Sequence, residues 1–165
     1  MIAQGAAWFW LAIYGIVPPL MLVMWYRQSH ASGDEPQRTN RLPSFVRLVL
    51  LVQALIMLAW GIGLFAAPAL FAPSWPWKLT PLTSQAIGAW LIGLGVFAAH
   101  SAVENEYSRT KVGAISYSAF GLLELIALLR YPGSLNWMGW STWLYVTLIV
   151  SIILAGIYSA KNSAK

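Results

Sequence analysis

The chain has 165 residues, of which 59% are hydrophobic and 9% charged, with ten tryptophans, no cysteine and a formal net charge of +5. This balance excludes an ordinary soluble globular domain and predicts a polytopic membrane protein. The positive charge would favour nucleic acid as a partner of a soluble protein. Here the basic residues gather beside apolar stretches, so we interpret them as orientation signals and expect no nucleic-acid partner. Without cysteine there is no disulfide framework and no thiolate metal site.

Two apolar stretches in the first half of the chain are long enough to cross a bilayer, which takes about 20 residues. The first covers residues 7–26 and contains Pro18-Pro19, which should interrupt and kink the helix because proline lacks a backbone donor. The second covers residues 44–67, with Gln53 inside it. Trp75-Pro76-Trp77 then predicts a constrained turn in the headgroup layer.

Three further spans follow. Thr80 and Pro81 are typical of a helix N-cap and first turn, and they precede the third span at residues 82–103. The fourth and fifth spans cover residues 113–130 and 143–160, joined by a tryptophan-rich turn. The expected fold is all-α: residues 1–165 form a single integral membrane domain, a bundle of five transmembrane helices.

The basic residues divide unequally between the two sides of this bundle. Alternate connections lie on opposite sides, which leaves Lys78 and Arg130 on one side and eight basic residues on the other, namely Arg27, Arg38, Arg41, Arg47, Arg109, Lys111, Lys161 and Lys165. The positive-inside rule then predicts an N-terminus outside and a cytoplasmic C-terminus. The expected location is a bacterial inner (plasma) membrane.

Glu124 is the ionisable residue that lies well inside a predicted span. A carboxyl group in hydrocarbon costs a few kcal/mol or more, so it needs a partner or a proton. On a helix of about 100° per residue, Glu124 shares its face with Gly113 and Gly121, which favours an orientation toward other helices. Its role is either structural, as a carboxyl that fastens helices together, or functional, as part of a site.

The functional alternative combines Glu124 with the proline break in the first span. Counted from the predicted cytoplasmic ends, Glu124 and Gly15 both lie roughly 17 Å deep. The prolines leave the carbonyl groups of Tyr14 and Gly15 without helical partners. Gln53 and either Thr147 or Ser151 lie within about a turn of that level. We therefore predict a ligand or proton site formed by Glu124, Tyr14, Gly15 and Gln53.

His100 and Glu104 are weaker candidates for a metal or proton site. They lie four residues apart on one helical face, close in sequence to Glu106, and the remaining histidine, His30, is expected on the same membrane side. Two histidines supply a zinc or haem site poorly, so no metal site, catalytic residue or cofactor is assigned.

The leading functional hypothesis is a small polytopic membrane protein without catalytic chemistry of its own. It would be either an accessory subunit of a membrane assembly or a binder of an apolar small molecule. Its expected partners are therefore the lipid bilayer and either a membrane protein or an apolar small molecule. The first alternative is a small carrier or proton-coupled transporter that uses Glu124. The second is an interfacial membrane enzyme that uses His100 and Glu104.

Overall fold

The computed structural model describes residues 2–33 and 37–162, and the regular secondary structure in these ranges is helical throughout. Asp34 and Glu35 of the first loop and Lys165 of the C-terminal tail lie outside the described residues. The α-helices are α1 (Ile2–Ser29), α2 (Ser44–Ala66), α3 (Pro68–Phe71), α4 (Pro81–Glu104), α5 (Tyr107–Arg130) and α6 (Trp140–Asn162). All but the short α3 are long and apolar enough to cross a membrane, which confirms the all-α class and the five candidate spans.

The chain divides into two compact units, one ending at Gln37 and the other beginning at Arg38. The first unit contains α1, which runs through Pro18 and Pro19. Each proline removes one backbone donor, but the helical conformation continues through both, and the kink at this point stays a prediction. The predicted interruption of the helix is therefore wrong, and α1 is one helix of 28 residues.

The second unit consists of two tightly packed helix pairs, α2 with α4 and α5 with α6, with sparser contact between the pairs. Close approach in the first pair depends on two facing glycines. A Cβ on Gly88 would lie 2.7 Å from the carbonyl oxygen of Gly61 and from the backbone nitrogen of Phe65. Small residues allow helix backbones to pack directly against each other in this way.

Thr80 and Pro81 begin α4 as predicted, because the Thr80 side chain accepts a hydrogen bond from the Thr83 N–H at 3.2 Å. At the other end of α4, Asn105 has φ 53° and ψ 38°, a left-handed conformation that asparagine tolerates better than most residues. This turn is so short that α5 begins at Tyr107, ahead of the span start predicted at residue 113.

Glu106, between α4 and α5, is buried rather than solvated. Its carboxylate accepts hydrogen bonds from the backbone N–H of Asn40 at 3.0 Å and from the Ser108 hydroxyl at 3.0 Å. Asn40 in turn accepts a hydrogen bond from the Tyr107 N–H at 3.0 Å and donates one through its side chain to the Asn162 carbonyl at 2.8 Å. One end of the bundle therefore joins the starts of α2 and α5 to the end of α6.

The opposite end is formed by the segments that follow α2 and α5. Each contains a short 3₁₀ turn, at Ala72–Ser74 and Pro132–Ser134. The two segments meet where the Asn136 N–H donates to the Pro76 carbonyl at 2.9 Å. The second unit is thus an up-and-down arrangement of four long helices, with its tryptophan-rich turns together at one end.

Candidate functional site

A cavity of about 280 Å³ lies between the two helix pairs of the second unit. Helices α2, α4, α5 and α6 all contribute to its walls, and the segment between α3 and α4 contributes two tryptophans. Glu124 is the one acidic or basic residue of its lining, which otherwise is apolar or aromatic: Met57, Trp75, Trp77, Ile87, Trp90, Leu91, Leu94, Phe120, Tyr145, Leu148, Ile149 and Ile152. This is the composition of a site for a small, largely apolar molecule with one polar anchor.

The polar anchor is a hydrogen-bonded pair that bridges α5 and α6. The Tyr145 hydroxyl donates to Oε2 of Glu124 at 2.9 Å. Tyr145 is buried, whereas Glu124 is half-buried. Gly121 lets α6 approach one turn away, since a Cβ there would lie 2.8 Å from the Ile153 side chain. Within residues 38–162, the bond from Tyr145 is the single hydrogen bond of Glu124, and the Oε1 atom of Glu124 has no hydrogen-bond partner there.

The position of Glu124 along its helix differs from the expectation. At about 1.5 Å per residue, Glu124 lies about 9 Å from the Arg130 end of α5 and about 26 Å from its start at Tyr107. The count from residue 113 had placed it nearer the middle. The carboxylate therefore belongs to the end of the bundle that carries the tryptophan-rich turns.

Aromatic rings surround this end of the cavity. Trp75, Trp77 and Tyr145 pack edge-to-face with one another, with ring centroids 5.1 to 5.5 Å apart. Trp90 of α4 stacks on Phe120 of α5, with centroids 6.4 Å apart and planes at 13°. Edge-to-face packing is a favoured geometry for aromatic rings and holds them in fixed orientations. The cavity therefore has a rigid aromatic wall next to its carboxylate.

A second cavity of about 270 Å³ adjoins the tryptophan-rich end of the bundle. Trp77 and Glu124 line it as well, together with Tyr131, Ser134 and Leu135 near the turn after α5. Glu124 and Trp77 thus lie where the two cavities come together. A ligand leaving the first cavity toward this turn would pass the carboxylate.

Gln53 occupies a separate polar cluster. The Tyr117 hydroxyl donates to its Oε1 at 3.0 Å, and its Nε2 donates to the Ser151 hydroxyl at 2.8 Å. Ser151 donates onward to the Leu148 carbonyl at 2.7 Å. Gln53 is 2% exposed and does not line the Glu124 cavity, so its amide ties α2, α5 and α6 together instead of facing a ligand there.

Tyr14 and Gly15 lie in α1, in the first unit, where Trp10 stacks on Tyr14 with centroids 5.8 Å apart. Their association with Glu124 stays a prediction. The same holds for the depth at which they lie in a membrane.

His100 and Glu104 lie at the end of the bundle opposite to the tryptophan-rich turns. His100 is exposed, and the Glu104 carboxylate accepts a hydrogen bond from Arg109 at 2.5 Å and lies 3.9 Å from the Arg38 guanidinium. Among the described residues, no group of three histidines and carboxylates could hold a metal ion. The enzyme alternative that uses His100 and Glu104 stays a prediction.

Sequence reasoning missed Tyr145 and Trp77 as parts of the Glu124 cavity. Trp77 carried a signal, because the constrained Trp75-Pro76-Trp77 segment was expected at a membrane interface, but the sequence did not show which helices it would cover. Tyr145 carried no such signal beyond its place near a helix start.

Comparison with protein-family models, curated proteins and solved structures gives no significant match.

Proposed function

We propose that this chain is a non-catalytic membrane protein that binds a small apolar molecule in the cavity between its two helix pairs. The observation that carries the proposal is the Tyr145–Glu124 hydrogen bond in the wall of an otherwise apolar, aromatic cavity. Apolar walls with few convergent polar groups are characteristic of ligand pockets, whose volumes run from roughly 300 Å³ upward. At about 280 Å³, the cavity suits a ligand at the small end of that range.

Native mass spectrometry of protein extracted gently from its own membrane tests this proposal. We expect the wild type to retain a small molecule that Glu124→Gln loses. Tyr117→Phe is the matched control, because it removes a buried hydroxyl that does not line the cavity. Retention of the same molecule by Glu124→Gln would remove Glu124 as the polar anchor of the site, and a wild type that retains no small molecule would contradict the proposal. A protein partner retained by all three would favour an accessory subunit.

A small carrier that uses Glu124 is the second candidate. It is favoured by the position of Glu124 in the walls of two adjoining cavities, one between the helix pairs and one beside the turn after α5. A carboxylate placed at such a junction can hold a ligand or a proton from either side. In reconstituted vesicles, Glu124→Gln should abolish flux of the bound molecule, and unchanged flux would remove Glu124 from this role.

We also propose an orientation with the N-terminus outside and the C-terminus in the cytoplasm of a bacterial inner membrane. The support comes from charge at the two ends of the second unit. Arg47 lies in the first turn of α2 and donates to the Ala102 carbonyl near the end of α4. The end of α6 with Lys161 lies on the same side, whereas Lys78 and Arg130 flank the opposite turns. Because the chain has no cysteine, Lys161→Cys and Ser134→Cys can be labelled in cells with an impermeant maleimide. Only the Ser134 site should react, and labelling of the Lys161 site would reverse the orientation.

A further inference from the structure

We infer that the largely apolar molecule held in this cavity also carries a positive charge, and is thus a small organic cation such as an alkyl- or aryl-substituted ammonium ion. The inference rests on the proposed binding function and names the chemistry of its ligand. It starts from the charge balance of the cavity. Within residues 38–162, Glu124 forms no ion pair, and its single hydrogen bond leaves one carboxylate oxygen open. A carboxylate in apolar surroundings is stabilised by a cation or by a proton.

The basic residues of this unit do not line the cavity. Arg38 and Arg109 lie beside Glu104 at the far end, and Arg47 donates to a backbone carbonyl there. The Arg130 guanidinium lies 5.8 Å from the centre of the Tyr131 ring and is absent from the cavity lining. No basic side chain of residues 38–162 therefore complements Glu124, and we assign the complementary positive charge to the ligand.

The aromatic wall favours an organic cation over a metal ion. Trp75, Trp77, Trp90, Phe120 and Tyr145 all line the cavity. Aromatic rings attract alkylammonium groups through the negative potential of their faces, tryptophan most strongly, and they also accept the apolar substituents of such an ion. A metal ion would instead need several oxygen or nitrogen ligands, and this cavity offers one carboxylate and one phenol.

Two probes of the same shape separate charge recognition from simple apolar burial. Benzyltrimethylammonium carries a quaternary nitrogen where 2,2-dimethylpropylbenzene carries a quaternary carbon. We would measure the binding of each probe by calorimetry, with the whole chain in lipid nanodiscs and protein-free nanodiscs as the blank. We expect the cation to bind the wild type at least tenfold more tightly than Glu124→Gln, while the neutral probe binds both proteins equally and shows that the variant is folded.

Two further variants sharpen the test. Glu104→Gln removes a carboxylate at the far end and should leave cation binding unchanged, which excludes an effect of net charge. Tyr145→Phe keeps the ring but removes the hydroxyl that holds the Glu124 carboxylate, so it should weaken cation binding, by less than Glu124→Gln does, and leave binding of the neutral probe unchanged.

The outcomes separate this inference from the proposal beneath it. If the neutral probe binds as tightly as the cation and Glu124→Gln changes neither, the cavity binds apolar molecules but the cation inference is wrong. If neither probe binds the wild type above the blank, both the inference and the proposed binding function fail.

Discussion

Replacing Gly88 by alanine should separate α2 from α4, and the cost can be judged from the contact geometry. The new Cβ would lie 2.7 Å from the Gly61 carbonyl oxygen and the Phe65 nitrogen, 0.7 Å inside the 3.4 Å at which ordinary contact begins. Both neighbours are backbone atoms, so neither can rotate away as the end of a side chain would. Overpacking of this kind costs about 1–3 kcal/mol.

Gly93 provides a matched control on the same helix, because a Cβ there would meet no atom within 4 Å. Gly93→Ala should change the free energy of unfolding by less than about 0.5 kcal/mol, as for other open positions. The assay is equilibrium unfolding in mixed micelles, followed by tryptophan fluorescence, with the wild type and both variants side by side. Equal stability of Gly88→Ala and Gly93→Ala would refute the close α2–α4 crossing.

Two further stability predictions use matched substitutions in the same unfolding assay. Gln53→Leu removes a buried amide that bonds to two other helices, and it should lower the free energy of unfolding by about 0.6–1.7 kcal/mol, the usual range for hydrogen bonds between membrane helices. Gln85→Leu, at an exposed glutamine of α4, should lower it by less than half as much. Equal losses of stability would mean that the Gln53 hydrogen bonds contribute nothing. Trp60→Phe breaks a 3.0 Å hydrogen bond to Ser74, whereas the buried Trp75 nitrogen has no acceptor within the described chain. Trp60→Phe should therefore lower the free energy of unfolding by about 1 kcal/mol more than Trp75→Phe does. The reverse order would contradict this hydrogen-bond assignment.

Composition and hydropathy were sufficient to predict five candidate spans, because a run of about 20 apolar residues matches the length of helix that crosses a bilayer. The N-cap of α4 was also predictable, since Thr80 and Pro81 act through local backbone geometry. The start of α5 could not be predicted from the sequence. Tyr107 to Lys111 is a polar stretch that hydropathy excludes from a span, yet its backbone continues the helix because Asn105 completes the turn in two residues.

The small residues of α4 show a related gap between pattern and packing. Glycine and alanine recur at four-residue spacing along α4, at Ala89 and Gly93 and again at Gly95 and Ala99, and this pattern predicts close approach without identifying the contact face. The structure uses Gly88 and Gly95, seven residues apart and therefore on one face, against α2, while Gly93 faces open space. Sequence alone offered both faces, and the choice depended on the position of the partner glycine, Gly61.

The register between α5 and α6 explains why Glu124 has a partner that the sequence did not suggest. Predicted spans at residues 113–130 and 143–160 align Glu124 with positions between Thr147 and Ser151. In the structure the connection between α5 and α6 contains only one 3₁₀ turn and a few further residues, so α6 begins at Trp140. This connection is about one helical turn shorter than the predicted spans imply. Tyr145 then comes level with Glu124, and Ser151 comes level with Tyr117 and Gln53 instead. A change of one helical turn thus separates two polar groups that the sequence placed together. It leaves Gln53 with a packing role and Glu124 at the cavity.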